Sequence, residues 1–411
     1  MISDSVAESS SDNKEYMDEK YCGEFNILVK LKNGVSKRKA LDIFDHGSSN
    51  LYCEGTENWS RVKINGKHEE LAEYITLGWL SSGDFLDESS SSIVHVYSLN
   101  EDGPLLQTVS AGENSEATAG STLWQLPCVE FEKIWHSLVF EDNIKNELLS
   151  YLISLISLSK RGLDSFIISV NRLILLLGPP GTGKTSLCKA ISQMASILLS
   201  HSFPRTAFLE VNSHSLFSKW FSESGKLISS LFDQVDSLAE DPECLVIILI
   251  DEAESLCTSR IRSSSGGDPA DSIRAVNALL TQMDRLRRRR NVFMLCTSNL
   301  VDSLDSALMD RADMTRVVPL PPQSALYSIY LSCLHELIRI EVLFPSPSPS
   351  QLEDCARSLS SHSVGMSARA ARQIPAVAFA RGFKSRISLE QLLPLFIQVI
   401  EERMKKHSSF E

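Results

Sequence analysis

An α/β fold built on a parallel sheet is what this 411-residue sequence predicts, and three observations predict it. The run Gly178-Pro179-Pro180-Gly181-Thr182-Gly183-Lys184-Thr185 fits the phosphate-loop pattern G-x-x-x-x-G-K-[ST] at every position, between an apolar run and a helical stretch that opens at Ser186. Five short apolar runs, Leu173–Leu177, Ala207–Val211, Leu245–Ile250, Val292–Thr297 and Arg316–Leu320, alternate with helical patterns, as strands and crossovers of a doubly wound sheet do. The third of these runs ends in Asp251-Glu252, two carboxylates delivered together at the C-terminal edge of a buried strand.

Taken from the N-terminus, residues 1–20 are rich in Ser and acids and read as a disordered tail with no signal peptide. Phe25, Ile27, Val29 and Leu31 alternate and run into Asn33-Gly34, a strand and a turn; Ser36–Phe44 suits a short helix. Arg61–Ile64 ends in Asn65-Gly66, a hairpin signal, and Ile93–Leu99 is rich in β-branched residues. These segments make 21–100 a small α+β domain. Gly, Ser, Glu and Thr without periodicity make 101–121 a flexible linker. The α/β pattern spans 122–322 and stops at Pro321-Pro322; 323–411 reads as a small helical C-terminal domain, with Pro345–Ser350 as a surface loop.

Composition narrows the class. The net charge of −12 lacks the basic balance of a general nucleic-acid binder. The nine cysteines form no C-x-x-C pair and the nine histidines no metal-ligand spacing, which suits reduced thiols in the cytosol or nucleus. The longest apolar stretch, near Leu148–Leu158, is broken by serines and too short to span a bilayer.

The chemistry concentrates around the phosphate loop. Its glycines let backbone N–H groups close around a phosphate at a helix N-terminus. Lys184 is placed for the β- and γ-phosphates of ATP, and Thr185 with Asp251 for Mg²⁺. Glu252, kept off the metal, is placed to polarise the attacking water. Asn299, after the strand beginning at Val292, would sit between the two motif strands and hydrogen-bond both water and phosphate. Arg311, just before the fifth strand, would point away from its own nucleotide and act in trans, unless Asp310 or Asp313 claims it; Arg316 is a second candidate. Arg369 is placed to cover the β- and γ-phosphates from a C-terminal helix, with Arg372 one turn on as its rival.

In this order these residues resemble the AAA+ ATPases, and more narrowly the pachytene checkpoint family, which remodels HORMA-domain proteins. The resemblance rests on Gly178–Thr185, the run Asn212–Leu227, Leu249–Leu256 and Asp310-Arg311-Ala312-Asp313, and covers roughly 124–400. It implies an AAA+ P-loop ATPase with a helical lid and an N-terminal domain that binds substrate and adaptor. It also implies a homo-hexameric ring that uses ATP and Mg²⁺ to turn closed, partner-bound HORMA proteins into the open form. Lys219-Trp220-Phe221 falls where the family carries its aromatic pore loop, and Ser263–Asp268 would be a second pore loop. The cellular setting it implies is meiotic chromosome synapsis and spindle-checkpoint silencing, on chromosomes in the nucleus and at kinetochores and in the cytoplasm during mitosis. No membrane and no direct nucleic-acid contact is expected.

Two other readings fit the same scaffold: a nucleic-acid motor or loader, and a nucleotide-gated binding module. The first calls for basic pore positions, where this chain offers Trp220 beside one lysine. The second needs none of Glu252, Asn299 and Arg311. Arg285–Arg290, with five arginines in six residues, suits a solvated helix end, an import signal or a substrate-facing patch.

Overall fold

The computed structural model describes residues 25–37, 40, 59–62, 71–79, 92–109, 118–164, 167–213, 224–254, 269–300, 304–382 and 386–408. The chain divides into two compact units, 1–98 and 99–411. The predicted tail over 1–20, the Asn65-Gly66 turn and both predicted pore loops lie outside the described residues, as does most of the predicted helix over 36–44.

In the first unit, β1 (Phe25–Leu31) lies inside a four-stranded sheet. It pairs antiparallel with β3 (Ala72–Trp79), which carries β2 (Ser60–Val62) on its other side, and parallel with β4 (Ser92–Tyr97). The alternation read in β1 places Ile27, Val29 and Leu31 in one apolar cluster with Ile75, Leu77, Val94 and Val96. On the strand positions between them, buried Asn26 Oδ1 lies 3.0 Å from His95 Nε2.

The second unit holds a seven-stranded sheet in the order β11-β7-β10-β9-β8-β6-β5. Its parallel part is β7 (Leu173–Leu177), β8 (Arg205–Val211), β9 (Cys244–Ile250), β10 (Val292–Ser298) and β11 (Met314–Val317). β7, β9 and β10 are buried along their whole length, as expected of strands covered on both faces. β11 stops short of the predicted Leu320. Val318 N still donates to Leu177 O at 2.7 Å, but Pro319 has no N–H to continue the ladder.

One expectation is overturned. The segment 101–121 supplies β5 (Leu105–Val109) and the start of β6 (Thr118–Leu126), which extend the sheet antiparallel from β8. Long-range pairing decides there, and composition alone does not register it.

Helices flank the sheet: α1 (Ile134–Ser137), α2 (Ile144–Lys160), α3 (Lys184–Leu198), α4 (Ser224–Ala239), α5 (Pro269–Leu286) and the short α6 (Ser306–Met309). The C-terminal part is helical as predicted, with α7 (Gln323–Arg339), α8 (Pro349–His362), α9 (Ala368–Gly382) and α10 (Leu389–Ser408). Its core gathers Leu326, Tyr330, Leu359, Ile374 and Phe396. The Pro-Ser run ends by starting a helix: Ser348 caps α8, Pro349 takes the first helical position, and Gln351 returns the bond to the Ser348 backbone.

Candidate active site

Strand order places the site. β7 lies between β10 and β11, so the loop leaving its C-terminal end emerges beside the tip of β10, and Gly178 N donates to Ser298 O at 3.2 Å. Crevices of this kind at the carboxyl ends of strands are where open α/β sheets bind ligands. A Cβ on Gly178 would stand 2.2 Å from Val318 O, so only glycine allows the loop this close to β11. Gly183, in left-handed conformation, is the N-cap of α3, which turns the helix N-terminus and its orphan amides toward the loop.

Lys184 is 6% exposed and makes three hydrogen bonds: to Gly178 O at 2.7 Å, Pro179 O at 2.9 Å and Asn299 Oδ1 at 2.8 Å. Burial pulls its pKa down, while the charges of Glu254 and Asp251 oppose that shift. Thr185 Oγ1 donates to the Asp251 carboxylate, 2.9 and 3.0 Å from its two oxygens. Thr297 Oγ1 also donates to Asp251, and Ser213 Oγ donates to Asp251 O at 2.6 Å. A hydroxyl against a carboxylate, at the mouth of a phosphate loop, is a donor set that suits a hard divalent cation such as Mg²⁺.

Glu252 turns out of β9 with φ 55°, a left-handed conformation costing a non-glycine residue about 1–2 kcal/mol. Its amide donates to Thr297 Oγ1 at 3.2 Å, and the next amide, Ala253 N, donates to Thr297 O at 2.8 Å. β10 thus holds the strained turn in place, the expected setting for strain at a functional site.

The orientation of Asn299 is forced by its neighbours. Lys184 can only donate and the Glu254 carboxylate accepts, so Oδ1 faces Lys184 and Nδ2 donates to Glu254 Oε1 at 2.6 Å. Glu254, Thr297 and Ser213 escaped the sequence reading. Glu254 lies three residues past Asp251 and could have been flagged as a third acid in that run; Thr297 and Ser213 carry no local signal.

The lid meets the loop directly. Arg369 N donates to Gly181 O at 3.1 Å, and its charge is close enough to oppose protonation of Lys184. Arg372 is instead committed to Ser137 O, so of the two rivals Arg369 stands at the phosphate loop. A cavity of about 220 Å³ opens beside Thr182 and Ala368, walled by Val139–Asp142, Ile144 and Pro319–Pro322. Its walls, mostly apolar but for Glu141, Asp142 and Thr182, suit a nucleotide base next to the phosphate loop. Sequence reasoning missed it because its walls come from four separate segments.

Arg311 is not in this cluster. Asp313 N donates to Leu173 O at 3.0 Å and the Asp313 carboxylate accepts from Asn171 N and Leu173 N, so this segment sits at the start of β7. The phosphate loop begins at the other end of that strand, roughly 16 Å away at about 3.3 Å per residue. Neither Asp310 nor Asp313 claims the guanidinium; Asp284 on α5 does, with Nε and Nη2 2.9 and 2.8 Å from its two oxygens. Arg316 pairs with Asp142 and Glu147. The arginine run matches the helix-end reading in part: Arg285 and Arg289 pair with Asp233 and Asp236 on α4.

A family model described as "ATPase family associated with various cellular activities (AAA)" matches residues 174–320. Over 361 residues the chain is 44% identical to the putative pachytene checkpoint protein 2 of Caenorhabditis elegans, spanning 82% of this chain and 85% of that protein. The chain belongs to the pachytene checkpoint protein 2 family. A Danio rerio member is 41% identical over 407 residues, 94% of this chain and 95% of that one. The solved structure of C. elegans PCH-2 superposes with a TM-score of 0.78 at 38% identity, covering 93% of this chain and 99% of that one. An Escherichia coli HORMA:CdnC:Trip13 complex contains a chain with the same fold, with a TM-score of 0.52 at 20% identity over 68% of this chain and 93% of that one. The match to the AAA ATPase family and to the pachytene checkpoint relatives supports an ATPase activity, on an α/β fold with a helical C-terminal region.

Proposed function

We propose that this chain is an ATP-driven remodeller that assembles as a homo-hexamer and converts HORMA-domain proteins from the closed, partner-bound form to the open form. The observation that carries the proposal is the division of the site. Lys184, Thr185, Asp251, Glu252, Asn299 and Arg369 gather at one phosphate loop, while Arg311 stands at the far end of β7. An arginine so placed serves a neighbour's nucleotide.

In this reading Lys184 holds the β- and γ-phosphates, and Thr185 and Asp251 hold Mg²⁺, which draws charge from the phosphoryl oxygens when bound. Glu252 takes the proton of the attacking water, Asn299 orients that water, and Arg369 and the neighbour's Arg311 receive the charge that develops on the phosphoryl group. The N-terminal unit grips the HORMA substrate through a HORMA-type adaptor, and Lys219-Trp220-Phe221 pulls its N-terminal segment through the pore. The name of the E. coli complex, which pairs a Trip13 chain with a HORMA protein, supports that substrate class. The settings proposed are meiotic chromosomes, with checkpoint silencing at kinetochores and in the cytoplasm.

The test is ATPase turnover, basal and with a closed HORMA protein plus adaptor, with and without single-stranded DNA. Stimulation by the HORMA protein alone supports the proposal; stimulation by DNA overturns it in favour of a nucleic-acid motor. Glu252→Gln protein, purified with its trapped partners and analysed by mass spectrometry, identifies the substrate.

A further inference from the structure

The bidentate pair between Arg311 and Asp284 points to a role for a residue that the nucleotide site does not contain. Arg311 Nε lies 2.9 Å from Asp284 Oδ1, Nη2 lies 2.8 Å from Oδ2, and Nη1 donates to Ala307 O at 2.8 Å. Three of the five guanidinium N–H groups are used in this way. Among the described residues nothing takes the second N–H of Nη1 or of Nη2, and these are the two donors that a bidentate contact to phosphate oxygens requires.

The pair is local in space and long in sequence: Asp284 lies in the last turn of α5, and Arg311 follows α6. At the side-chain level Arg311 is 29% exposed and Asp284 51%. A pair this exposed contributes at most about 1 kcal/mol to stability. What it supplies is geometry. An unpaired arginine samples many rotamers, whereas one gripped by a planar carboxylate on one edge and a helix carbonyl on the other is confined to one. Asp313, two residues on, anchors the backbone with its carboxylate on Asn171 N and Leu173 N, so main chain and side chain are both fixed. The mutual hydrogen bonding also lowers the Asp284 pKa and raises that of Arg311, which keeps both charged.

We infer that Asp284 is a positioning residue for the trans-acting arginine: it fixes the Arg311 guanidinium in the orientation offered to the γ-phosphate of a neighbouring subunit. The inference rests on the trans role proposed for Arg311. A misplacement of about 1 Å at a reacting group costs up to about 10²-fold in rate, so Asp284→Asn should lower kcat roughly 10- to 100-fold. It should leave KM for ATP unchanged, because Asp284 lies at the far end of the sheet from its own phosphate loop.

The experiment measures kcat and KM for wild type, Asp284→Asn, Arg311→Ala and the double variant, each confirmed by size exclusion to form the same assembly. The expected result is a kcat loss in Asp284→Asn at constant KM, and a double variant no slower than Arg311→Ala alone. Subunit mixing should assign the Asp284→Asn defect to the subunit that donates the arginine. An Asp284→Asn variant with wild-type or raised kcat, or losses that multiply in the double variant, overturns the inference and leaves the role of Arg311 standing. A fully active Arg311→Ala variant overturns both.

Discussion

Gly181→Ala and Gly162→Ala form a matched pair, because the two glycines have nearly the same backbone and different surroundings. Their φ angles are +78° and +79°, so either alanine costs about 1–2 kcal/mol of left-handed strain. Among the described residues nothing lies within 4 Å of a Cβ added at Gly162. Around Gly181 the new Cβ meets Ser367 Oγ at 2.8 Å, Ser367 Cβ at 3.1 Å and Arg369 Cβ at 3.2 Å. The hydroxyl cannot swing aside without loss, since it accepts from Ala370 N at 3.2 Å at the start of α9. Relief therefore comes by moving the lid away, which stretches the bond from Arg369 N to Gly181 O, itself worth about 0.5–1.5 kcal/mol. Gly181→Ala should thus be about 1 kcal/mol less stable than Gly162→Ala in denaturant unfolding. In a Glu252→Gln background, where ATP is not turned over, its ATP affinity should fall roughly tenfold, matching about 1.4 kcal/mol, while Gly162→Ala leaves affinity unchanged. Equal stability and equal ATP affinity in the two variants would refute the idea that the lid rests on the phosphate loop through Gly181.

Lys184→Ala should abolish ATP binding, whereas Glu252→Gln should keep ATP bound and stop turnover; a Glu252→Gln variant that binds no better than Lys184→Ala would show the wrong role for Glu252. Arg311→Ala should retain ATP affinity and lose roughly 10³-fold in turnover, and mixing it with Lys184→Ala subunits should restore some activity; proven mixed rings without recovery would exclude trans action. Trp220→Ala should keep basal ATPase within a few-fold of wild type yet fail to open a closed HORMA protein. A variant that instead loses about 3–5 kcal/mol of stability, seen as early melting, would make Trp220 a core residue.

Much of the site could be read from sequence because phosphate-loop chemistry is local. Gly178 to Thr185 form one turn and one helix start, and Asp251-Glu252 leave one strand, so spacing alone brings their functions together. Asn299 was legible only from the order of motifs, yet it stands against Lys184. Residues whose role depends on another segment were hidden. Nothing near Asp284 in sequence announces Arg311, 27 positions on, and Asp313 looked like a partner for Arg311 until the amides of Asn171 and Leu173, at the entry to β7, took it. The β5–β6 hairpin was hidden for the same reason: its Ser, Gly and Thr residues become a strand through pairing with β8.

The placement of Arg311 and the phosphate loop at opposite ends of β7 has a consequence for how the protein is controlled. In the trans assignment each chain carries two half-sites that its own sheet keeps apart, so an isolated chain can bind ATP without consuming it. Output per chain then tracks how often a chain has a neighbour, and dilution should depress specific activity more steeply than it depresses protein concentration. On that assignment the abundance of the protein itself would become a dial on ATP consumption: scarce chains would idle, and turnover would begin once chains are plentiful enough to meet a neighbour.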